Sequence, residues 1–234
     1  MAKKDLNETT DRRRFLGSLA AGAATVSLAT LTPSLNVHAE ENTPFTGPED
    51  PAEMVFKSLK GKHRIVFDAT DPVWLMPFAW PRVFLMTNAA TGTPEKENNV
   101  VVVLRHNAIP YAFEDRLWEK YNFADVFGVK DGEKKAVIKN AFWKPAKGTF
   151  KIPGIGVVEI GINELQDSGV KFVVCNAAMT VFSAAVAEKM NMKAEDVYKD
   201  WKSGVLPGIT PVPSGVWAVG RAQENKCAYC FVAG

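Results

Sequence analysis

The residue best placed to do chemistry is Cys175, in the stretch Gly169-Val170-Lys171-Phe172-Val173-Val174-Cys175-Asn176-Ala177-Ala178-Met179. The β-branched apolar run before it predicts a buried strand, and the Ala-rich segment after it, through Val186, predicts a packed helix. Cys175 therefore falls at a strand-to-helix turn, the carboxyl end of a strand in an open α/β sheet, where ligands usually sit. Partial positive charge at the helix N-terminus favours a thiolate, so the position suits a reactive sulfur. The competing reading is a packing thiol, because free cysteine is among the most buried residue types. His106 stands at the carboxyl end of a second apolar strand. In a parallel sheet it shares the edge of Cys175 and could act as base or thiolate partner, although a histidine in a turn is commonly a surface residue. Arg105, Asn107 and Asn176 share that edge and could hold an anion such as a persulfide, sulfite or thiosulfate.

The chain has three cysteines, and the other two form Cys227-Ala228-Tyr229-Cys230. This resembles a redox Cys-x-x-Cys, but Cys227 lies at the C-terminal end of an expected helix, where the dipole opposes a thiolate. Residue 231 is Phe, so c-type haem attachment is excluded. The readings left open for Cys227 and Cys230 are packing thiols, a structural disulfide, a resolving or relay thiol, or a metal ligand pair. A closed zinc site needs two further ligands, and beyond residue 39 only His63 and His106 could join, so no metal site is expected. Gly154-Ile155-Gly156 lacks the third spaced glycine of a dinucleotide fingerprint. There is no Walker sequence and no Gly-x-Ser-x-Gly elbow, so no cofactor is called for. Asp68 and Asp71 are expected to cap, and the six tryptophans to pack in the core or at an interface.

These groups need a sheet to hold them. His63 to Asp68 predicts a first strand, and Val100-Val101-Val102-Val103-Leu104 a second, whose unbroken apolar run implies burial on both faces under covering helices. A short helix leads in over Ala52 to Lys60, and another is expected to begin late, near Pro81. Further helices are expected over Phe113 to Tyr121, Gly161 to Asp167, Glu195 to Lys202 and, capped by Ser214, Gly215 to about Glu224. Leu206 to Pro213 reads as an extended segment, Lys130 to Lys151 as a loop with room for a hairpin, and Ala228 to Val232 as a last strand. The alternation predicts a three-layer α/β sandwich with a mainly parallel sheet, a flavodoxin-like architecture.

The first 39 residues carry an address rather than a fold. Thr10-Asp11-Arg12-Arg13-Arg14-Phe15-Leu16 matches the twin-arginine export pattern, with Arg12 and Arg13 as the pair. A Gly/Ala-rich apolar segment follows, then Val37-His38-Ala39, after which cleavage is expected. The expected location is therefore periplasmic, with the Tat translocase as partner during export. Glu40 to Pro51 is a Pro-rich acidic linker, so residues 40–61 form linker and lead-in helix, and residues 62–234 the domain. Removing the signal takes five of the 28 basic and three of the 26 acidic residues, which leaves 23 of each. A neutral mature chain offers no concentrated basic face for nucleic acid or an anionic membrane. No second apolar span is present, so no membrane crossing is expected of the mature form.

The stretch Gly169 to Cys175, with Val100 to Leu104 and the helix end at Leu165 to Gly169, resembles the DsrE/DsrF-like family of sulfur-handling proteins, over about Lys62 to Gly234. That resemblance implies a parallel-sheet α/β subunit assembled into trimers or hexamers, with the strand-end Cys175 accepting and passing sulfane sulfur as a persulfide. The chain departs from the sulfur-relay members in its export signal and longer middle section. The expected function is an exported sulfurtransferase or sulfur carrier using Cys175 and His106, with a protein as sulfur donor or acceptor. The alternatives are a binding or structural module of the same fold without turnover and, ranked below it, a thiol oxidoreductase through Cys227 and Cys230.

Overall fold

Val100 to Val103 fill the middle of a five-stranded parallel sheet in the computed structural model, which describes residues 50–133 and 135–233. The signal segment, with Arg12, Arg13 and the cleavage site after Ala39, lies outside the described residues, as does the linker up to residue 49. The strands are β1 (His63–Ala69), β2 (Asn98–Leu104), β5 (Lys171–Cys175), β6 (Ile209–Val212) and β7 (Ala228–Phe231), in spatial order β6-β5-β2-β1-β7. A two-residue pair, β3 (Lys151–Ile152) and β4 (Gly156–Val157), forms a separate hairpin just after the Lys-rich section.

The period-2 alternation of strand side chains divides the core in two. Phe67, Val102, Leu104, Phe172 and Val174 point to one face, and Val66, Val101, Val103, Val173 and Val212 to the other. From β1 through β2 and β5 to β6 the chain steps across the sheet in one direction, and right-handed crossovers put all those connections on the first face. They include α2 (Met76–Ala90), the 3-10 helix His106–Ala112, α3 (Asp115–Tyr121), α4 (Phe123–Phe127), α5 (Ile162–Asp167), α6 (Asn176–Met190) and α7 (Ala194–Ser203). After β6 the chain must return past β1 to reach β7, so α8 (Gly215–Glu224) covers the second face, beside α1 (Pro51–Lys57). The result is a three-layer α/β sandwich. Among the described residues no helix is long and apolar enough to cross a membrane.

Three local expectations change. The helix predicted to begin near Pro81 starts at Met76, because Pro77 occupies its first turn, where no N–H is needed. Pro81 is inside the helix and forfeits only the bond to the first-turn carbonyl of Pro77, while its ring is buried with Phe78 and Leu85. Leu206 to Pro213 supplies a true strand, β6; Pro211 is tolerated because β6 is an edge. Asp68 is not a cap but a strand residue, 2% exposed. Of the tryptophans, Trp118 and Trp201 are fully buried, Trp74, Trp143 and Trp217 are half-buried, and Trp80 is exposed.

The long β2-to-β5 connection is pinned rather than loose. Asn140 is buried and donates to the carbonyls of Tyr111 (2.8 Å) and Phe113 (3.0 Å), and Phe142 stacks on Phe78 with centroids 4.1 Å apart. On α7, Asp200 accepts from Lys120 Nζ (2.8 Å) and Tyr121 Oη (2.7 Å) and pairs with Arg116, tying α7 to α3. Burial raises the Asp200 carboxyl, but the hydrogen bonds from Lys120, Tyr121 and Arg116 outweigh it and lower the group to about 2. A depressed folded-state carboxyl stabilises above its ordinary range and loses that contribution as pH falls from about 4 toward 2. Asp200→Asn should therefore remove about 1 kcal/mol at neutral pH, after solvent screening, and flatten the acid limb of a denaturation series; an unchanged limb would show the network to be inert.

Candidate functional site

The divergence of the two faces creates the site. Adjacent strands β5 and β6 send the chain to opposite sides of the sheet, α6 to one and α8 to the other. A crevice opens at the carboxyl ends of strands where such connections part, which is the standard ligand position in open α/β sheets. Both helix N-termini meet there. Cys175 is the N-cap of α6, and its Sγ accepts the Ala178 N–H at 3.3 Å. Ser214 is the N-cap of α8, its Oγ accepting the Trp217 N–H at 3.2 Å, and the Ala177 N–H reaches the Pro213 carbonyl at 3.2 Å. The crevice is a cavity of about 340 Å³ lined by Arg105, His106, Cys175 and Ser214, and by Ala177, Ala178, Val181, Phe182, Gly215 and Val216.

The edge predicted for Cys175, His106 and Arg105 is therefore the one they occupy. Cys175 is 6% exposed and belongs to the cavity lining rather than to open surface. His106 is exposed, sits at φ 51° and presents its ring edge-on to Phe182, centroids 5.7 Å apart. A left-handed backbone at a non-glycine residue costs about 1 kcal/mol or more, and such strain clusters at functional positions. Among the described residues no hydrogen bond joins His106 to Cys175.

Arg105 has a second role that sequence reasoning missed. Its Nε and Nη2 grip the buried Asp68 carboxylate in a two-point pair of 2.6 and 2.9 Å, and Tyr229 Oη donates to the same carboxylate at 2.9 Å. The hydrogen bond to Asp68 holds the guanidinium above its ordinary value against the opposing effect of burial; the nearby Cys175 sulfur adds to the rise. Burial, then the bond to Asp68, likewise raises the Tyr229 phenol. The Arg105 stem rests on Gly215, where an added Cβ would come within 2.5 Å of Arg105 Cβ and Cδ. Glycine at the start of α8 is what lets that helix approach Arg105.

The other predicted groups are not brought into the cavity. Asn107 donates to Asp71 at 3.2 Å, and Asn176 accepts from Tyr198 Oη at 2.6 Å. Cys227 and Cys230 are both free thiols that pack against opposite faces of the sheet, Cys227 in the core under α8 and Cys230 against the larger one. Desolvation raises the Cys227 thiol above its ordinary value, with Arg64 opposing. Among the described residues no cluster of three or more His, Cys, Asp or Glu could hold a metal ion. Two other cavities, of about 460 and 470 Å³, lie toward the amino-terminal ends of the strands, and neither is lined by a cysteine or histidine.

No protein-family model matches the chain, and no curated protein matches it. Among solved structures it is similar to the protein of unknown function MTH1491 from Methanobacterium thermoautotrophicum, at 15% identity and a TM-score of 0.37, over 73% of this chain and 99% of that one. The class assigned here, a three-layer α/β sandwich with a cysteine at the carboxyl edge of its parallel sheet, rests on the architecture described above.

Proposed function

We propose that the chain is an exported DsrE/DsrF-like sulfur carrier that holds sulfane sulfur as a persulfide on Cys175. The observation that carries this reading is the position of Cys175, in the lining of a cavity where the N-termini of two helices, of 15 and 10 residues, converge beside a guanidinium. Cys175 Sγ caps α6 and accepts the Ala178 N–H, and helix N-termini attract anionic groups in general. In loading, the Cys175 thiolate attacks the outer sulfur of a donor persulfide. The donor S–S bond breaks, its electron pair leaves with the donor thiolate, and the terminal proton stays on the sulfur transferred, so no external oxidant is needed. His106, at the cavity lining, is the group available to take the thiol proton beforehand. The Arg12-Arg13-x-Phe-Leu pattern supports export to the periplasm, and half-exposed Tyr229 and Phe231 on edge strand β7 support assembly into a homo-oligomer. A sulfur donor or acceptor protein is the partner this role requires.

The burial of Cys175 and the commitment of Arg105 to Asp68 favour one rival, a binding module that uses the cavity without turnover. Alkylation of the native protein separates the two. Cys175 should be modified at least about tenfold faster than Cys227, which is buried and raised, and after pretreatment with polysulfide its label should sit on the outer sulfur and come off with reductant. A Cys175 as inert as Cys227 would leave the binding module as the better description.

A further inference from the structure

We infer that the sulfur donor for Cys175 is an organic persulfide with an apolar body, not an inorganic sulfur oxyanion. The inference rests on the carrier role proposed above and concerns what that site accepts. An oxyanion such as thiosulfate needs uncommitted donors, and the cavity offers few: two of the Arg105 nitrogens are spent on a buried carboxylate that also neutralises its charge, and at the helix ends the N–H groups of Ala177, Ala178 and Trp217 are taken by the Pro213 carbonyl, Cys175 Sγ and Ser214 Oγ. Asn107 and Asn176, the amides nearest in sequence, are turned to Asp71 and Tyr198. What remains around the sulfur is largely hydrocarbon. Half-buried Ala178 and Phe182 line the cavity within, and Ala177, Val181 and Val216 are exposed at its mouth, the two valines at 63% and 67%.

The valines sit on α6 and α8 respectively, so a ligand reaching Cys175 between the two helix N-termini passes apolar walls on both sides. A cavity of about 340 Å³ leaves room beyond the transferred sulfur for a carbon-borne group, which lies within the ordinary range for small-molecule sites. Burial of that group supplies the binding energy that ion pairing does not. The chemistry is unchanged: Cys175 thiolate and R–S–SH yield the Cys175 persulfide and R–S⁻, with R apolar.

The test is the initial rate of sulfur loading onto the purified mature protein from benzyl persulfide, glutathione persulfide, inorganic polysulfide and thiosulfate, read by intact mass. Benzyl persulfide should load at least about tenfold faster than glutathione persulfide, whose charged body cannot use the walls, and thiosulfate should not load. A paired Val181→Ser and Val216→Ser variant should lower the ratio of the benzyl to the polysulfide rate about tenfold. Both positions are exposed, so folding is not at stake. Equal rates from benzyl and glutathione persulfides, or an unchanged ratio in the variant, would overturn the apolar-donor inference while leaving the carrier role standing. No loading from any donor would remove the carrier role and the inference together.

Discussion

An Asp68→Ala variant is expected to lose about 3 kcal/mol of stability and most of its sulfur loading. Asp68 is almost wholly buried and is held by Arg105 at 2.6 and 2.9 Å and by Tyr229 at 2.9 Å. Removing one partner of such a pair strands the other, and the cost of the uncompensated charge dominates. Arg105 keeps partial access to solvent, which places the loss at the low end of the usual range for buried pairs. The guanidinium, already partly exposed, is then free to turn to water and leave its place beside Cys175. Tyr229→Phe removes one hydrogen bond and leaves the ion pair, so it should cost about 1 kcal/mol and spare loading. Replacing Asp68 and Arg105 together by apolar residues should recover much of the stability but not the loading. Denaturant unfolding of the three variants checks the argument, and a loss below about 1 kcal/mol for Asp68→Ala would show that the pair does not hold the edge together.

The second large effect falls on Gly215. A methyl there would meet Arg105 Cβ and Cδ at 2.5 Å, closer than side chains tolerate, and these are stem atoms that cannot swing aside. Either α8 retreats from the cavity or Arg105 gives up Asp68. Gly215→Ala should therefore destabilise by about 2 kcal/mol, within the range of overpacked sites, although alanine is otherwise the better helix former. In an Arg105→Gly background the same substitution should be nearly neutral, because Cβ and the rest of the obstructing stem are gone. Additive losses in the double variant would mean that the crowding at Gly215 is not with Arg105.

Both effects involve contacts that sequence reasoning did not reach. The turn at Cys175 was legible because strand and helix signals change within one residue, and Ser214 announced its helix by the ordinary capping preference. The burial of Val100 to Val103 followed from an apolar run too long for a half-solvated strand. The Asp68–Arg105 pair joins residues 37 apart in the chain, and nothing local marks either as the partner of the other. Asp68 looks like a strand-end cap, and Arg105 like a free cation, until the sheet brings β1 and β2 into register. Asn107 and Asn176 share the predicted edge, but side-chain direction decides their partners, and sequence position alone does not fix it. The sequence also hid β6, because three prolines in Leu206 to Pro213 argue against a central strand and say nothing against an edge.

The central claim is that Cys175 carries sulfur, and intact mass of the purified mature protein tests it most directly. After incubation with polysulfide and removal of excess reagent, the protein should gain the mass of sulfur, release it to reductant, and gain none when Cys175→Ser is treated alike. Equal gain by the Cys175→Ser variant, or none by the parent protein, would contradict the claim.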